Sequence, residues 1–243
     1  MANTLDLPRK VEPEMLDELA VADPRARRSR EDLQRIHRAM ATLSIMLRAL
    51  DSATVGSTPR TILELGAGDG SLMLRLARRR AARWPDVNLT LLDRLDLIDD
   101  KTLKGFHDVG WKPTVVTADI SEWIKRPSVA KWDIVIANLF MHHFSAEALT
   151  HLLPAIAAKS RIFFCCEPRR SALPLAASHL VGLIGAGPIT RQDAVLSVHA
   201  GFCMRELSAF WPAPDLGSWH LREYGAGLFS HALLASRTSN HAS

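Results

Sequence analysis

The sequence lacks the features that mark several classes of protein. No apolar run reaches the ~18–20 residues that a membrane-spanning helix needs. The three cysteines, Cys165, Cys166 and Cys203, are too few for a disulfide framework and do not have metal-ligand spacing. The N-terminus has no apolar segment behind its basic residues, so we expect no secretory signal. These absences predict a reduced, cytoplasmic protein without a membrane span.

Aromatic residues are also scarce, which bears on the basic charge of the chain. They make up 6% of the sequence, and Tyr224 is its single tyrosine. The formal net charge is +4 and the isoelectric point is about 9.2. Single-strand nucleic-acid binders stack bases on aromatic side chains, and few are available here. The arginines form two groups with helical spacing, which favours solvated helix faces over a nucleic-acid surface. The groups are Arg25, Arg27, Arg28 and Arg30, and Arg75, Arg78, Arg79, Arg80 and Arg83.

What is present is the composition of a folded globular protein. The chain has 243 residues, of which 47% are hydrophobic and 23% charged. Residues 1–55 predict an N-terminal helical cap, in which a helix begins at Asp23-Pro24 and continues to Leu50. Residues 53–59 form the best candidate linker, and residues 56–243 the main domain.

Short apolar runs alternate with helical patterns after that linker. This alternation predicts an α/β fold, a doubly wound parallel sheet with both faces covered by helices. The predicted strands are Thr61–Leu65, Asn88–Asp93, Thr114–Ala118, Asp133–Asn138 and Ile162–Cys166. The predicted helices are Ser71–Trp84, Leu97–Val109, Ile120–Lys125 and Ala146–Ala158.

The pattern changes after Glu167. An uncharged helical stretch, Ala172–Gly185, is followed by a helix over Arg191–Ala200 that Thr190 is expected to cap. Two final runs, Trp219–Tyr224 and Ser230–Ser236, predict an antiparallel hairpin with its turn at residues 225–227.

The most informative motif is Glu64-Leu-Gly-Ala-Gly-Asp-Gly70. It follows a buried strand and opens into a helix, which is where open α/β sheets bind their ligands. Its glycines are spaced G-x-G-x-G, whereas a dinucleotide site wants G-x-G-x-x-G/A. The Glu64 carboxylate would repel a pyrophosphate but can accept from an ammonium group. The turn therefore favours a zwitterionic nucleoside over a dinucleotide.

Two acidic residues end the next strands. Asp93 stands about 20–25 residues after the turn, where a carboxylate can hold ribose hydroxyls. Asp119 can accept from an adenine amino group, with Ile120 against the ring. For both aspartates the alternative is that they cap the helices that follow, and the two roles can coexist.

These residues resemble the class I (Rossmann-like) S-adenosylmethionine (SAM) dependent methyltransferases. The run Leu139-Phe-Met-His-His-Phe144 resembles the form found in small-molecule members of the ubiquinone/menaquinone type, and the run from Asp193 to Trp211 resembles members of the polyketide/phenolic-lipid type. The resemblance implies SAM as cofactor and a seven-stranded sheet of order 3-2-1-4-5-7-6 with strand 7 antiparallel. It also implies an acceptor-side helical insert over about residues 168–215. The implied SAM-binding residues are Glu64, Gly66, Ala67, Gly68, Asp93, Arg94, Asp119, Ile120, Asn138 and Leu139.

The residues after the fourth strand bear on the reaction. They read Asn138-Leu-Phe-Met141, unlike the [DNS]-P-P-[YFW] that the family uses on amino groups of adenine, cytosine or glutamine. Strand five ends with one carboxylate, Glu167, so we expect no metal. The two histidines that follow, His142 and His143, are the catalytic candidates because imidazole transfers protons near neutral pH. The alternative is that at least one of them orients SAM or packs on the loop.

The resulting hypothesis is methyl transfer from SAM to a small, aromatic and lipophilic acceptor, with O-methylation favoured. The alternatives are C-methylation of a quinone or polyketide-like ring, RNA methylation, a noncatalytic SAM-fold binding protein, and a nicotinamide oxidoreductase. Nucleic acid is not the expected partner. The uncharged segment of residues 172–187 is interpreted as a lid over the acceptor, a core helix or the seam of a homodimer.

Overall fold

A seven-stranded sheet forms the centre of the computed structural model, which describes residues 8–125, 131–212 and 218–237. Its order is β3-β2-β1-β4-β5-β7-β6, with β7 antiparallel to both β5 and β6 and the remaining pairs parallel. The expected fold class is confirmed. The strands are Thr61–Leu65 (β1), Asn88–Asp93 (β2), Lys112–Thr117 (β3), Trp132–Asn138 (β4), Ser160–Pro168 (β5), Trp219–Ala226 (β6) and Ser230–Arg237 (β7).

Helices cover both faces of this sheet, so its central strands are buried on both sides. One core contains Leu50, Ile62 and Trp111, and the other contains Leu149 and Phe163. The helices are Met15–Glu18 (α1), Pro24–Ala39 (α2), Thr42–Ala53 (α3), Ser71–Arg80 (α4), Asp100–Asp108 (α5), Ile120–Trp123 (α6), Ala146–Lys159 (α7), Ala172–Leu180 (α8) and Pro188–Ala200 (α9).

The single helix expected from Asp23 to Leu50 is divided into two helices, α2 and α3, so its expected extent was wrong. Asp23 does cap α2, and its side chain accepts from the Arg25 amide. The chain then turns at Ala41, whose φ of 54° lies in the left-handed region, before α3 begins. The break directs α2 over the carboxyl edge of the sheet, while α3 stays in the core with Met46 and Leu50 fully buried.

Several other boundaries differ from expectation in the second half of the chain: β5 is longer at both ends, and the helix expected to reach Gly185 ends as α8 at Leu180. Helix α9 begins at Pro188 and not at Arg191, because proline suits the first helical turn. The hydroxyl of Thr190 does not cap it but bonds Asp32 and Ser29 of α2. The hairpin turn follows Ala226, so β6 is longer than expected.

Among the residues that the structure describes, none of the helices combines the length and apolar character required to traverse a bilayer.

Candidate functional site

A cavity of about 450 Å³ opens at the carboxyl ends of β1, β2 and β4. The sheet contributes the glycine turn with Glu64, the pair Asp93-Arg94 and the pair Asn138-Leu139. Helices α1, α2, α8 and α9 complete the wall. The topology therefore brings together eight of the ten predicted SAM-binding residues: Glu64, Gly66, Ala67, Gly68, Asp93, Arg94, Asn138 and Leu139.

The glycine turn has a backbone that only glycine adopts readily. Gly66 and Gly68 have φ values of 69° and 54°, in the left-handed region. A Cβ on Gly66 would lie 2.3 Å from the Cδ2 atom of Phe140, so that glycine is required by close packing as well. At Gly68 nothing lies within 4 Å of the Cβ position, which leaves the backbone open to a ligand. The Gly68 amide donates to Asp93 Oδ2 at 2.8 Å, which fixes the turn relative to β2.

Two polar side chains inside this end of the cavity carry an oxygen without a partner. Glu64 is 3% exposed and Asn138 is 8% exposed. Neither Glu64 Oε2 nor Asn138 Oδ1 finds a hydrogen bond within the described parts of the chain. Burial raises the pKa of Glu64 well above its ordinary value, and the nearby Asp69 and Asp93 raise it further. A buried acceptor without a donor costs free energy, so both oxygens are suited to a ligand that supplies donors.

The structure does not bring the predicted adenine residues to the cavity wall. Asp119 caps α6, and its Oδ1 atom accepts from the Ser121 amide at 2.7 Å. Ile120 is 5% exposed and packs in the core. The capping alternative is thus present, and the adenine role of these two residues stays a prediction.

The N-terminal strap, defined here as residues 8–18, crosses the cavity and was not identified from the sequence. The Arg9 guanidinium donates to the carbonyls of His142 and Phe144, both at 2.9 Å. The Asp193 carboxylate of α9 accepts from the amides of Met15 and Leu16. No sequence signal could find these contacts, because they join residues more than 130 positions apart.

The strap also contacts Arg94, one of the predicted SAM-binding residues. Arg94 forms an ion pair of 2.9 Å with Asp17 and donates to the Asp17 carbonyl at 3.0 Å. Arg94 therefore holds the strap and lines the cavity at the same time.

His142 is fully enclosed between two carboxylates. Its Nδ1 atom lies 2.8 Å from Glu167 Oε2, and its Nε2 atom lies 3.4 Å from Glu14 Oε1. Burial alone would lower the pKa of His142, but the hydrogen bond to Glu167 and the charges of Glu167 and Glu14 outweigh it and raise the pKa to about 9. At neutral pH this imidazole is charged, so it has no lone pair with which to accept a proton.

His143 differs from its neighbour in exposure and in charge. Its side chain is 28% exposed and lies in the cavity, with Nδ1 3.5 Å from Asp17 Oδ2. Burial lowers the pKa of His143, and the charge of the adjacent His142 lowers it further. The two rings lie 4.2 Å apart. His143 is therefore the neutral member of the pair and the one that can accept a proton.

The ligand atoms of Glu14, His142 and His143 lie within 4.8 Å of one another, a spacing that a metal ion can use. Glu167 orients the His142 ring, and its carboxylate also accepts from the amides of Phe140 and Met141.

Helix α2 contributes a wall that sequence reasoning assigned to a separate helical cap. Leu33, Ile36, His37 and Met40 line the cavity at helical spacing. Burial lowers the pKa of His37 to about 4, so the ring is neutral. Its Nε2 atom has no hydrogen-bond partner among the residues described.

The uncharged segment supplies the opposite wall. Pro174, Ala177, Leu180 and Val181 line the cavity, and Leu180 and Leu183 expose 58% and 83% of their area to solvent. The alternative of an ordinary core helix is therefore excluded, because these large apolar side chains are not buried.

Comparison of the sequence with protein families finds no matching family model, and no curated protein sequence matches it. Solved structures do match. The plantazolicin methyltransferase BpumL in complex with SAH has a TM-score of 0.63 at 14% identity, over 89% of this chain and 92% of that chain. The plantazolicin methyltransferase BamL, in complex with a triazolic desmethylPZN analog and SAH, has a TM-score of 0.59 at 11% identity, over 88% and 90% of the two chains.

A third match is the magnesium protoporphyrin IX methyltransferase from Synechocystis PCC 6803 with bound SAH. Its TM-score is 0.50 at 14% identity, and the match covers 92% of this chain and 91% of that one. Identities this low establish architecture alone. The chain has the Rossmann-like fold that these methyltransferases share.

Proposed function

We propose that the protein transfers the methyl group of SAM to a small, lipophilic, aromatic acceptor, and that oxygen is the favoured acceptor atom. The observation that carries this proposal is a single cavity lined by two chemically different groups of side chains. The sheet contributes the polar end, with Asp93 and the unpartnered oxygens of Glu64 and Asn138, and helices α2 and α8 contribute apolar side chains that we call the apolar end, or apolar chamber; His143 lines the same cavity.

The polar end fits SAM. The ammonium group of an amino acid can donate to the Glu64 carboxylate and to the Asn138 side-chain oxygen, which satisfies two acceptors that are otherwise buried without donors. Asp93 already accepts from the amides of Gly68 and Leu95, and each of its oxygens keeps a lone pair for a ribose hydroxyl. When bound, SAM supplies a methyl group that is electrophilic because it is attached to a sulfonium.

The apolar end suits the proposed acceptor. Leu33, Ile36 and Met40 face it from α2, and Ala177 and Val181 face it from α8 and the turn that follows. Binding pockets for small molecules are lined in this way, with few polar groups to set orientation. The structurally similar proteins are named for methyl transfer to plantazolicin and to magnesium protoporphyrin IX.

His143 is the residue of this chain that we assign to proton removal. It is neutral, lies in the cavity and is oriented by Asp17. A general base must be unprotonated and within reach of the acceptor hydroxyl, and His142 fails the first condition. His142 instead holds the loop after β4 in place through Glu167.

The proposal is tested by binding and turnover measured separately. Isothermal titration calorimetry should show binding of SAM and S-adenosylhomocysteine and none of NADH. Asp93→Ala should weaken SAM by about 1–3 kcal/mol, the scale of hydrogen bonds to a charged group. The matched control is Asp108→Ala, a carboxylate on the surface of α5 that is paired with Lys104.

Transfer of a labelled methyl group should then be assayed on a panel of phenols, on quinone-type rings and on total RNA. We expect transfer to a phenol. Binding of NADH but not SAM would overturn the cofactor assignment. SAM binding with transfer only to RNA, or to none of the acceptors, would overturn the acceptor assignment.

A further inference from the structure

The uncharged segment carries exposed apolar side chains at the rim of the cavity. We define the leucine patch as Leu173, Leu180, Leu183 and Ile184, which expose 54%, 58%, 83% and 45% of their area. Residues 171–187 contain no Asp, Glu, Lys or Arg, so no formally charged side chain of this segment interrupts the apolar patch. Large apolar side chains grouped on a surface mark a site of interaction.

Cations surround the leucine patch. Arg27, Arg28 and Arg35 of α2 line a shallow groove with Ile184 and Gly185. Arg191 approaches from α9, since its Nε atom would lie 3.2 Å from a Cβ built on Gly182. Arg35 is paired with the buried Asp32, and Glu31 is the one acidic residue lining the groove. The exposed side chains Arg27, Arg28 and Arg191, which we call the arginine rim, therefore leave a cationic excess around the patch.

We propose that this face binds the surface of an anionic phospholipid bilayer. The leucine patch would enter the boundary between headgroups and acyl chains, and the arginine rim would contact the headgroup phosphates. Apolar side chains combined with flanking cations are the chemistry of peripheral membrane attachment. No span is needed for such attachment.

A second copy of this chain fits the same face less well. A two-fold interface places the same surface opposite itself, so the arginine rim of each copy would face that of the other. Like charges at an interface are unfavourable, whereas an anionic bilayer complements them.

The position of the leucine patch relates the membrane attachment to the cavity. The patch adjoins the cavity, because Leu180 and Ile184 also line it together with Pro174, Ala177 and Val181, so a bilayer on this face would contact the rim of the apolar chamber. The membrane attachment itself does not depend on methyl transfer. Its test is therefore separate from the test of the proposed function.

The experiment is sedimentation of the full chain with sucrose-loaded vesicles of phosphatidylcholine containing 30% phosphatidylglycerol, and with vesicles of phosphatidylcholine alone. We expect partitioning to the anionic vesicles that weakens with salt. Leu183→Asp should lower the partition coefficient by ten-fold or more, because it removes an inserted leucine. The matched control is Val55→Asp, a residue 78% exposed in the loop before β1, at the opposite edge of the sheet.

The charged half of the proposal has its own variants. Arg27→Gln with Arg28→Gln should weaken binding to anionic vesicles by about five-fold per arginine. Arg78→Gln with Arg79→Gln, on the exposed end of α4, should change it less. Absence of binding, equal binding to both vesicle types, or equal effects of the patch and control variants would each overturn the proposal. A doubled mass by light scattering that Leu183→Asp abolishes, without vesicle binding, would assign the face to self-association instead.

Discussion

The Nδ1 atom of His142 lies 2.8 Å from Oε2 of Glu167, and this contact fixes the loop in which methyl transfer is proposed to occur. The two side chains are 3% and 0% exposed, and the Glu167 carboxylate also binds three consecutive amides of the loop. The preceding residue, Leu139, has a φ of 48°, which a leucine adopts at a cost. Glu167 therefore stabilises both a charge and an unfavourable backbone conformation.

The His142 charge predicts how stability depends on pH. Its folded pKa of about 9 exceeds the ordinary unfolded value of about 6.5. The stabilisation is complete below about pH 6.5 and is lost as the pH rises through 9. We expect the melting temperature to fall over that range, measured by scanning calorimetry. His142→Gln should be less stable at pH 6.5 and should flatten the slope, whereas the exposed His220→Gln should keep it. A wild-type melting temperature that is constant from pH 6.5 to 9 would contradict the assigned charge.

Glu64 should lower the stability of the ligand-free protein and raise its affinity for SAM. Burial raises its pKa in the ligand-free protein, so holding it ionised costs stability as the pH rises through the folded pKa. Glu64→Gln should therefore melt at the same or a higher temperature at neutral pH and bind SAM more weakly, by about ten-fold or more. Calorimetry in buffers of different ionisation enthalpy should also show proton release when wild type binds SAM, and none in Glu64→Gln. Equal affinity in the two proteins would remove Glu64 from the site.

The two histidines should respond differently in catalysis. His143→Gln should lower kcat by about 10²–10⁴ while SAM affinity changes little, since a general base acts in the chemical step. Because the pKa of His143 is lowered, wild-type turnover should rise with pH below 6.5 and level off near neutrality. The acidic limb should be absent in His143→Gln and retained in His142→Gln. An unchanged pH–rate profile in His143→Gln would show that this residue does not titrate in the rate-determining step.

Weaker docking of the N-terminal strap should reduce the binding of both the acceptor and SAM. Asp193 accepts from the amides of Met15 and Leu16, and Asp193→Asn halves its capacity to do so. We expect KM for both substrates to rise with little change in melting temperature, because the strap lies outside the two cores. Asp100→Asn, on the exposed start of α5, is the matched control. A loss of stability equal to the loss of activity would mean that Asp193 acts on the fold as a whole.

The parallel strands were predictable because a strand that is buried on both faces of the sheet consists of a continuous run of apolar residues. The limits of Thr61–Leu65 and Asn88–Asp93 agree with the structure. Strand order could not be derived from such runs and came from the resemblance alone. The helix break at Ala41 gave no local signal, since neither glycine nor proline occurs there and a left-handed alanine is set by tertiary packing.

The candidate site was predictable only where its residues follow a strand. The glycine turn, Asp93 and Asn138 stand at strand ends, and the topology collects such ends at one edge. Glu14, Asp17 and His37 belong to elements that fold back over that edge, and no spacing in the sequence connects them with it. Likewise, His142 and His143 are adjacent and of one type, so their opposite protonation preferences emerge only from the carboxylates around them.

The strap has a further consequence for the order in which the molecule is built. Arg9 contacts Ala200, 191 positions later, and Met15 contacts Asp193, 178 positions later. The strap is synthesised well before α9, so it must wait for α9 before it can dock. Such distant contacts form late, since closing a long loop costs entropy before any contact repays it. A chain interrupted within β5 would retain four paired parallel strands and the glycine turn, yet it would lack the cavity walls that α8 and α9 contribute. The proposed methyl transfer should thus be one of the last properties that the folding chain acquires.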